Sequence, residues 1–456
     1  MTERHHSPRT RTGRPGGSPP SSGGAAALAP RQALVVALLF GGYAACYFCR
    51  ADLSVATPLL IDELTRRGMA RGAAMVHVGQ IVSLGILAYA IGKLFLTGLG
   101  DFWGGRPNFL IGVGGATVFT VLFALSGTLP LFTLAWFGNR LTQSVGWAGL
   151  LKVSSRWFDF SSHGAVIGLL SVSYLIGDAA ARQWMGLLIQ SGHGWRSLFW
   201  LAAAVAGTLF AANLLLLRES RTEAGHSEAA ANPANVYGAA AGRPASLGAL
   251  LLPLVRSRAF LIVCLLSLGC TVVRETFNTW TPLYLRDYLG YSSSRAGSAS
   301  AVFPALGAVS VILTGWLSDR LGPNSRAAIM AIGLAATTAA LLALMSLRPS
   351  STGPLLPLAA IGTTALCLLG PYSYLGGAFA LDFGGRQGGA MSSGLIDGVG
   401  YLGSLLAGDT VARISVAYGW PGVFLLLAGI SLAAALGAAH LYRLGRGGAS
   451  GARHRR

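Results

Sequence analysis

The chain has 456 residues, of which 11% are charged and 53% hydrophobic. Soluble proteins carry about 25% charged residues, so this composition excludes a string of soluble domains. The 34 Lys+Arg against 16 Asp+Glu give a net charge of +18, but a soluble nucleic-acid binder would not need so apolar a bulk.

Residues 1–31, rich in Arg, Pro, Gly and Ser, read as a disordered basic tail rather than a cleaved signal peptide. Membrane-crossing helices need about 20 mostly apolar residues. Twelve such segments follow, at 32–58, 76–98, 108–127, 129–150, 164–190, 195–217, 258–285, 296–317, 326–347, 354–381, 388–416 and 420–442. They are too long for strands and do not alternate, and their many glycines are tolerated in membrane helices. The stretch 218–257 reads as a linker and 443–456 as a second basic tail. The expected fold is an all-α integral membrane protein with twelve transmembrane helices in two six-helix halves, 32–217 and 258–442.

All five cysteines, Cys46, Cys49, Cys264, Cys270 and Cys367, fall inside apolar segments. The C-x-x-C spacing of the first two therefore reads as packing rather than redox or zinc chemistry. The sequence offers no metal cluster, nucleotide loop or nucleophile–base arrangement. No cofactor, enzymatic activity or nucleic-acid partner is expected.

An even number of crossings puts both termini on one side. Of the 34 basic residues, 21 lie on that side, seven on the other and six within the segments. The positive-inside rule then makes both termini cytoplasmic. The use of 32 Arg and two Lys fits a GC-rich genome, and a bacterial inner membrane is the expected home.

The halves repeat each other. Gly98-Leu-Gly-Asp101 ends the second segment, and Gly315-Trp-Leu-Ser-Asp319 ends the eighth. Gly194-Trp195 opens the sixth, and Gly419-Trp420 opens the twelfth. Arg50 in the first segment matches Arg274 in the seventh. Such duplication is the architecture of the major facilitator superfamily. Asp101 with Arg106, and Asp319 with Arg320, are candidate cytoplasmic gate contacts.

The six intramembrane cations are Arg50, Lys93, Arg140, Arg182, Arg274 and Arg413; the anions read as intramembrane are Asp178, Glu275, Asp397 and Asp409. Charges in a bilayer are costly and mark substrate or ion pathways. The surplus of two positive charges suits a dianion. Asp178–Arg182 and Asp409–Arg413 have the i,i+4 spacing of an ion pair, either structural or part of a polar wall or proton relay. Arg140 reads as interfacial. Arg50, Lys93 and Arg274 have no partner at helical spacing, since Glu275, adjacent to Arg274, should point about 100° away. Arg50 and Arg274, from matching helices, would repel unless an anion joined them. Arginine's planar fork suits a phosphoryl group. Tyr43 and Tyr47, one turn apart, are further cavity candidates.

Several strings carry a resemblance: GGYAACYFCRADLSVATPLL around Arg50, AYAIGKLFLTGLGD around Lys93, QSVGWAGLLKVSSRWF in the fourth segment and VVRETFNTWTPLYL in the seventh. GPYSYLGGAFALDF and DGVGYLGSLLAG add to these. Over nearly all of 32–442 the chain resembles the organophosphate:phosphate antiporters of the major facilitator superfamily. The resemblance implies that Arg50 and Arg274 grip phosphate, that Lys93 supports them, and that the halves rock around the site, exchanging an organic phosphate for inorganic phosphate. A histidine used by the glycerol-phosphate branch is replaced here by Tyr174. Glu275, Asp178 and Asp397 depart from the family pattern, leaving sugar-hydroxyl recognition, proton binding and substrate preference open. A monomer in the lipid bilayer is expected. Two alternatives stay open: a proton-coupled sugar-acid symporter, suggested by R-A-x-L-S-V-A, and a sugar-phosphate sensor.

Overall fold

The computed structural model describes residues 22–96, 104–159, 163–223, 225–227, 229, 247–321, 325–347, 355–380, 383 and 389–453. Among these it is helical throughout, with no strand. The first half comprises α1 (Ser22–Arg66), α2 (Arg71–Phe95), α3 (Gly105–Leu125), α4 (Leu129–Gln143 continued by Gly146–Trp157), α5 (His163–Gln190) and α6 (Trp195–Leu216). The second comprises α7 (Arg258–Leu283), α8 (Ser293–Ala299 and Val302–Leu321), α9 (Arg326–Ser346), α10 (Leu355–Ser373), α11 (389–407 and 409–418) and α12 (420–453). Nine described helices are long and apolar enough to cross a membrane. The broken α4 and the charged α5 are not among them, and one of the nine joins α11 to α12.

The boundaries depart from the sequence expectations where local chemistry overrides hydropathy. Helix α1 begins at Ser22, inside the expected tail, and runs through Pro58 to Arg66 instead of ending there. The linker contains a helix, Leu247–Arg256. The last helix continues to Arg453, through most of the expected second tail. Gly419, at φ 70°, makes the bend between α11 and α12, a backbone conformation that favours glycine.

Prolines loosen the second half. Pro282 precedes a π turn at Tyr284–Tyr288, and Pro371 precedes another at Leu375–Phe379. A 3-10 turn at Ser404–Ala407 interrupts α11. The Trp280 indole donates to the Ala407 carbonyl at 2.6 Å, and the Ser83 hydroxyl to Leu405 at 2.9 Å. Carbonyls at a broken helix thereby find donors where water is scarce.

The halves meet through α1–α7, α2–α11 and α5–α8. Along α1–α7, residues about one repeat apart touch: the Ser54 hydroxyl faces the carbonyls of Asn278 and Thr279 at 2.7 and 2.8 Å. Asp62 pairs with Arg286. The pseudo-twofold axis therefore runs between these helices, and Arg50 and Arg274 lie beside it one turn nearer the termini.

Away from the termini the seam is latched. Asp62 and Asp287 both accept from Arg71, at 2.9 and 2.5 Å. Deeper in, Arg182 of α5 is buried, bonded to Asp178 at 3.0 Å, to the Asn278 carbonyl of α7 at 2.7 Å and to Ser300 at the α8 break at 3.1 Å. Gly186 of α5 lets α8 approach: a Cβ there would lie 2.0 Å from Ser298 Oγ and 2.7 Å from its backbone nitrogen. Small residues commonly permit such contact between membrane helices. Gly186→Ala should cost about 1–3 kcal/mol by overpacking; an unchanged thermal midpoint in detergent would contradict this contact.

Candidate substrate site

Helical spacing assembles the site. On α1, Tyr43, Tyr47, Arg50 and Ser54 follow one another at intervals of three or four and so share a face. The same spacing links Tyr89 to Lys93 on α2, Tyr174 to Asp178 and Arg182 on α5, and Asp397 to Tyr401 on α11. Arg50, Arg140, Asp178, Arg182, Glu275 and Asn278 all line one cavity.

Arg50 donates through Nε to Gln143 Oε1 at 2.7 Å and through Nη1 to the Tyr47 hydroxyl at 3.1 Å. Gln143 is itself held by Asn139 at 2.6 Å, and Asn139 donates to Thr120 at 3.0 Å. This buried chain fixes the guanidinium through neutral acceptors and leaves its charge uncompensated there. Arg274 donates through Nη2 to the Tyr401 hydroxyl at 2.7 Å and to Glu275 Oε1 at 2.6 Å. The expectation that Glu275 points away from Arg274 is thus overturned: backbone directions differ, but arginine's long side chain reaches around the helix.

One further expectation is corrected. Arg140 is buried, not interfacial: its Nη2 lies 3.9 Å from Glu275 Oε2, joining α4 of the first half to α7 of the second. Lys93 pairs not along its own helix but with Asp397 Oδ2 at 3.6 Å, which joins α2 to α11. Spacing along one helix could reveal neither contact.

Aromatic rings separate the cations. The Tyr89 ring centre lies 4.5 Å from the Arg50 guanidinium, 4.9 Å from that of Arg140 and 5.7 Å from Lys93 Nζ. Arg274 lies 4.7 Å from Tyr372 and 5.6 Å from Tyr401. Each desolvated cation–π contact contributes about 1–2 kcal/mol, which eases the crowding of like charges. The Tyr89 and Tyr401 rings meet across the halves, tilted by 52° with centres 4.6 Å apart. Tyr47 contacts Tyr174 at 5.1 Å, and Tyr43 contacts Trp147 at 5.1 Å. Tyr89, Tyr372, Tyr401, Gln143 and Asn278 were not singled out in the sequence; the clue for Tyr89 and Tyr401 was their i,i+4 relation to Lys93 and Asp397.

The remaining expected residues lie elsewhere. Asp409 and Arg413 pair at 2.7 Å on α11, Asp409 partly buried and Arg413 exposed. Asp409 packs its backbone on α2, its nitrogen donating to Ser83 Oγ at 2.9 Å, while the Arg413 side chain is exposed, and neither residue is among those lining the cavity. They are not charges of the cavity. Asp101 lies outside the described residues, and of Asp319 only the helical backbone is described. Arg106 donates to the Leu214 carbonyl at 2.6 Å, while the backbone nitrogens of Gly105 and Arg106 donate to Glu219 at 2.8 and 2.6 Å. Glu219 therefore caps α3, where a helix N-terminus favours a carboxylate. Arg320 lies 4.0 Å over the Trp316 ring of its own helix. These described contacts of Arg106 and Arg320 stay inside one half. Asp52, absent from the anions expected in the membrane, is fully buried, and its Oδ2 has no hydrogen-bond partner among the described residues.

The Major Facilitator Superfamily profile matches residues 39–408. The probable hexose phosphate transport protein of Chlamydia trachomatis serovar D is 26% identical over 413 residues, 87% of this chain and 88% of that protein. The glycerol-3-phosphate transporter of Bacillus subtilis is 22% identical over 85% of this chain and 87% of its own. These names bear out the resemblance to the organophosphate:phosphate antiporters. The fold is similar to that of a bacterial homolog of the human lysosomal transporter Spinster in an inward-facing, unoccupied conformation. Its TM-score is 0.70 at 16% identity, covering 91% of this chain and 97% of that one. The chain belongs to the major facilitator superfamily, and it is a multi-pass membrane transporter rather than an enzyme.

Proposed function

We propose that the protein moves an organic phosphate, such as a sugar phosphate or glycerol phosphate, across the membrane in exchange for inorganic phosphate. The two halves rock about the α1–α7 axis, exposing the site to each side in turn. The observation that carries this reading is the charge balance of the central cluster. Among the described residues the ion-pair partners of Lys93, Arg140 and Arg274 are Glu275 and Asp397, and Arg50 has none, an excess of two positive charges over these paired carboxylates; Asp178 already neutralises Arg182, and Asp52 is buried outside these pairs. A dianionic phosphoryl group balances that excess, and arginine supplies the matching fork. Lys93 adds a point charge; Tyr43, Tyr47 and Tyr174 offer hydroxyls to the organic portion, and Glu275 and Asp397 can accept from its hydroxyls. In this reading both termini lie in the cytoplasm, which the basic flanks support, and the protein works as a monomer in a bacterial inner membrane.

A second reading, proton-coupled sugar-acid symport, draws on the buried, incompletely bonded Asp52 carboxylate. A thermal-shift screen of purified protein separates the two. Glucose 6-phosphate, glycerol 3-phosphate and inorganic phosphate are expected to raise the midpoint in a concentration-dependent manner, as ligands that bind only the folded state do. Stabilisation by gluconate and glucuronate, with none by phosphates, would favour symport.

A further inference from the structure

The two sides of the site carry opposite net charge. The first half contributes Arg50, Lys93 and Arg140, three cations, against the one buried carboxyl of Asp52; its Asp178 is spent on Arg182 at 3.0 Å. The second half contributes Arg274 with Glu275 and Asp397, one cation and two carboxylates. Both carboxylates reach across the seam, Glu275 toward Arg140 at 3.9 Å and Asp397 toward Lys93 at 3.6 Å. Lys93, Arg140 and Glu275 are buried, so these charges meet where water screens them weakly.

This arrangement bears on how a carrier recrosses the membrane. To change sides, the halves must close on the site from both ends. Were both walls cationic, closing an empty site would bring like charges together in a low-dielectric space, and only an occupied carrier would turn over. Such a carrier is an obligatory exchanger. Here a wall of net positive charge meets a wall of net charge minus one, and the empty halves attract. We propose that Glu275 and Asp397 are tethered counter-anions that let the carrier cross without cargo, so that exchange is not obligatory and net movement of substrate is a built-in mode. The proposal rests on the organophosphate-transport function above and adds its mode. A bound phosphoryl group competes with Glu275 for Arg274 and Arg140. Release restores the internal pairs, so the site closes around its own carboxylates.

The test compares two modes in liposomes loaded with radiolabelled inorganic phosphate: efflux into phosphate-free buffer and efflux into buffer containing phosphate. Wild-type protein is expected to show net efflux within about tenfold of exchange. The double variant E275Q/D397N leaves the second wall with Arg274 alone. Its ratio of net efflux to exchange is expected to fall at least about tenfold further, the consequence of about 1.4 kcal/mol on empty crossing. Wild-type exchange without net efflux, or an unchanged ratio in the variant, overturns the proposal.

A second measurement decides the matter even if neither protein moves phosphate, the outcome that would count against the transport function itself. Spin labels replace Leu169 of α5 and Trp316 of α8, both exposed near the terminus side. In substrate-free buffer, wild-type protein is expected to show two label–label distances, open and closed. E275Q/D397N should lose the closed one. Identical distributions overturn the proposal independently of substrate.

Discussion

Arg50→Lys and Arg274→Lys are each expected to lower uptake of an organic phosphate into phosphate-loaded vesicles by about ten- to a hundredfold. The substitution keeps the charge and thus the field that draws an anion into the cavity. It removes the fork. Lysine cannot hold Gln143 and Tyr47 while offering parallel N–H groups to a phosphoryl oxygen pair, as Arg50 can. Hydrogen bonds to a charged group contribute about 1.5–3 kcal/mol, and about 1.4 kcal/mol corresponds to tenfold. At position 274, lysine would further lose the planar contacts with Tyr372 and Tyr401. Both variants should reach the membrane in normal amount, because neither change leaves a buried charge of new sign. Normal transport in both would move the phosphoryl contact to Arg140 and Lys93.

The second large effect concerns the latch. Arg182→Ala leaves the buried Asp178 carboxylate without its ion partner and removes the donors to Asn278 and Ser300. Removing one member of a buried pair typically costs about 3–5 kcal/mol, so expression or thermal stability should fall. Asp178→Leu with Arg182→Met replaces both charges by apolar side chains, a change that is often nearly neutral for stability. The folded double variant should nonetheless have lost the bonds that Arg182 makes from α5 to α7 and α8, leaving the Ser294–Gly186 bond, and its seam should open away from the termini. A cysteine introduced at Ser54, buried beneath this seam, reports the opening. A membrane-impermeant thiol reagent added from the far side should label it in the double variant and spare it in the otherwise wild-type protein. Equal protection in both would show that Arg182 does not hold the gate.

The fold was legible because a bilayer leaves few options: apolar runs of the right length must be helices, and the repeat of Arg50 in Arg274 betrayed the two halves. Helix ends were less legible. Pro58 looks like a terminator, yet α1 continues past it to Arg66. The principal cations of the site were legible for the same reason as the fold, since a lone arginine in an apolar run demands an explanation. Their partners were not. Arg140 and Glu275, or Lys93 and Asp397, are far apart in sequence and meet only when the halves come together. Rules for neighbours on one helix also missed Arg274–Glu275, because they follow the backbone direction and ignore side-chain reach.

The latch was hidden differently. In the sequence Arg71 and Arg286 are two of the seven basic residues on the side away from the termini, and nothing local marks Asp62 and Asp287. In the structure these four bind one another across the seam. The 224-residue separation of Asp62 from Arg286 equals that of Arg50 from Arg274. The repeat offset was therefore the available signal: two charges of opposite sign one repeat apart on α1 and α7 are positioned to meet at the axis.

The central claim is that a phosphoryl group is carried between Arg50 and Arg274 as cargo. Counterflow tests it most directly, because it requires both binding and movement. Purified protein in liposomes loaded with inorganic phosphate should accumulate labelled glucose 6-phosphate or glycerol 3-phosphate above the level of protein-free liposomes, and R50K and R274K should abolish most of that accumulation. Binding without accumulation would make the protein a sensor rather than a carrier. Accumulation undiminished in both variants would remove the arginine pair from the site.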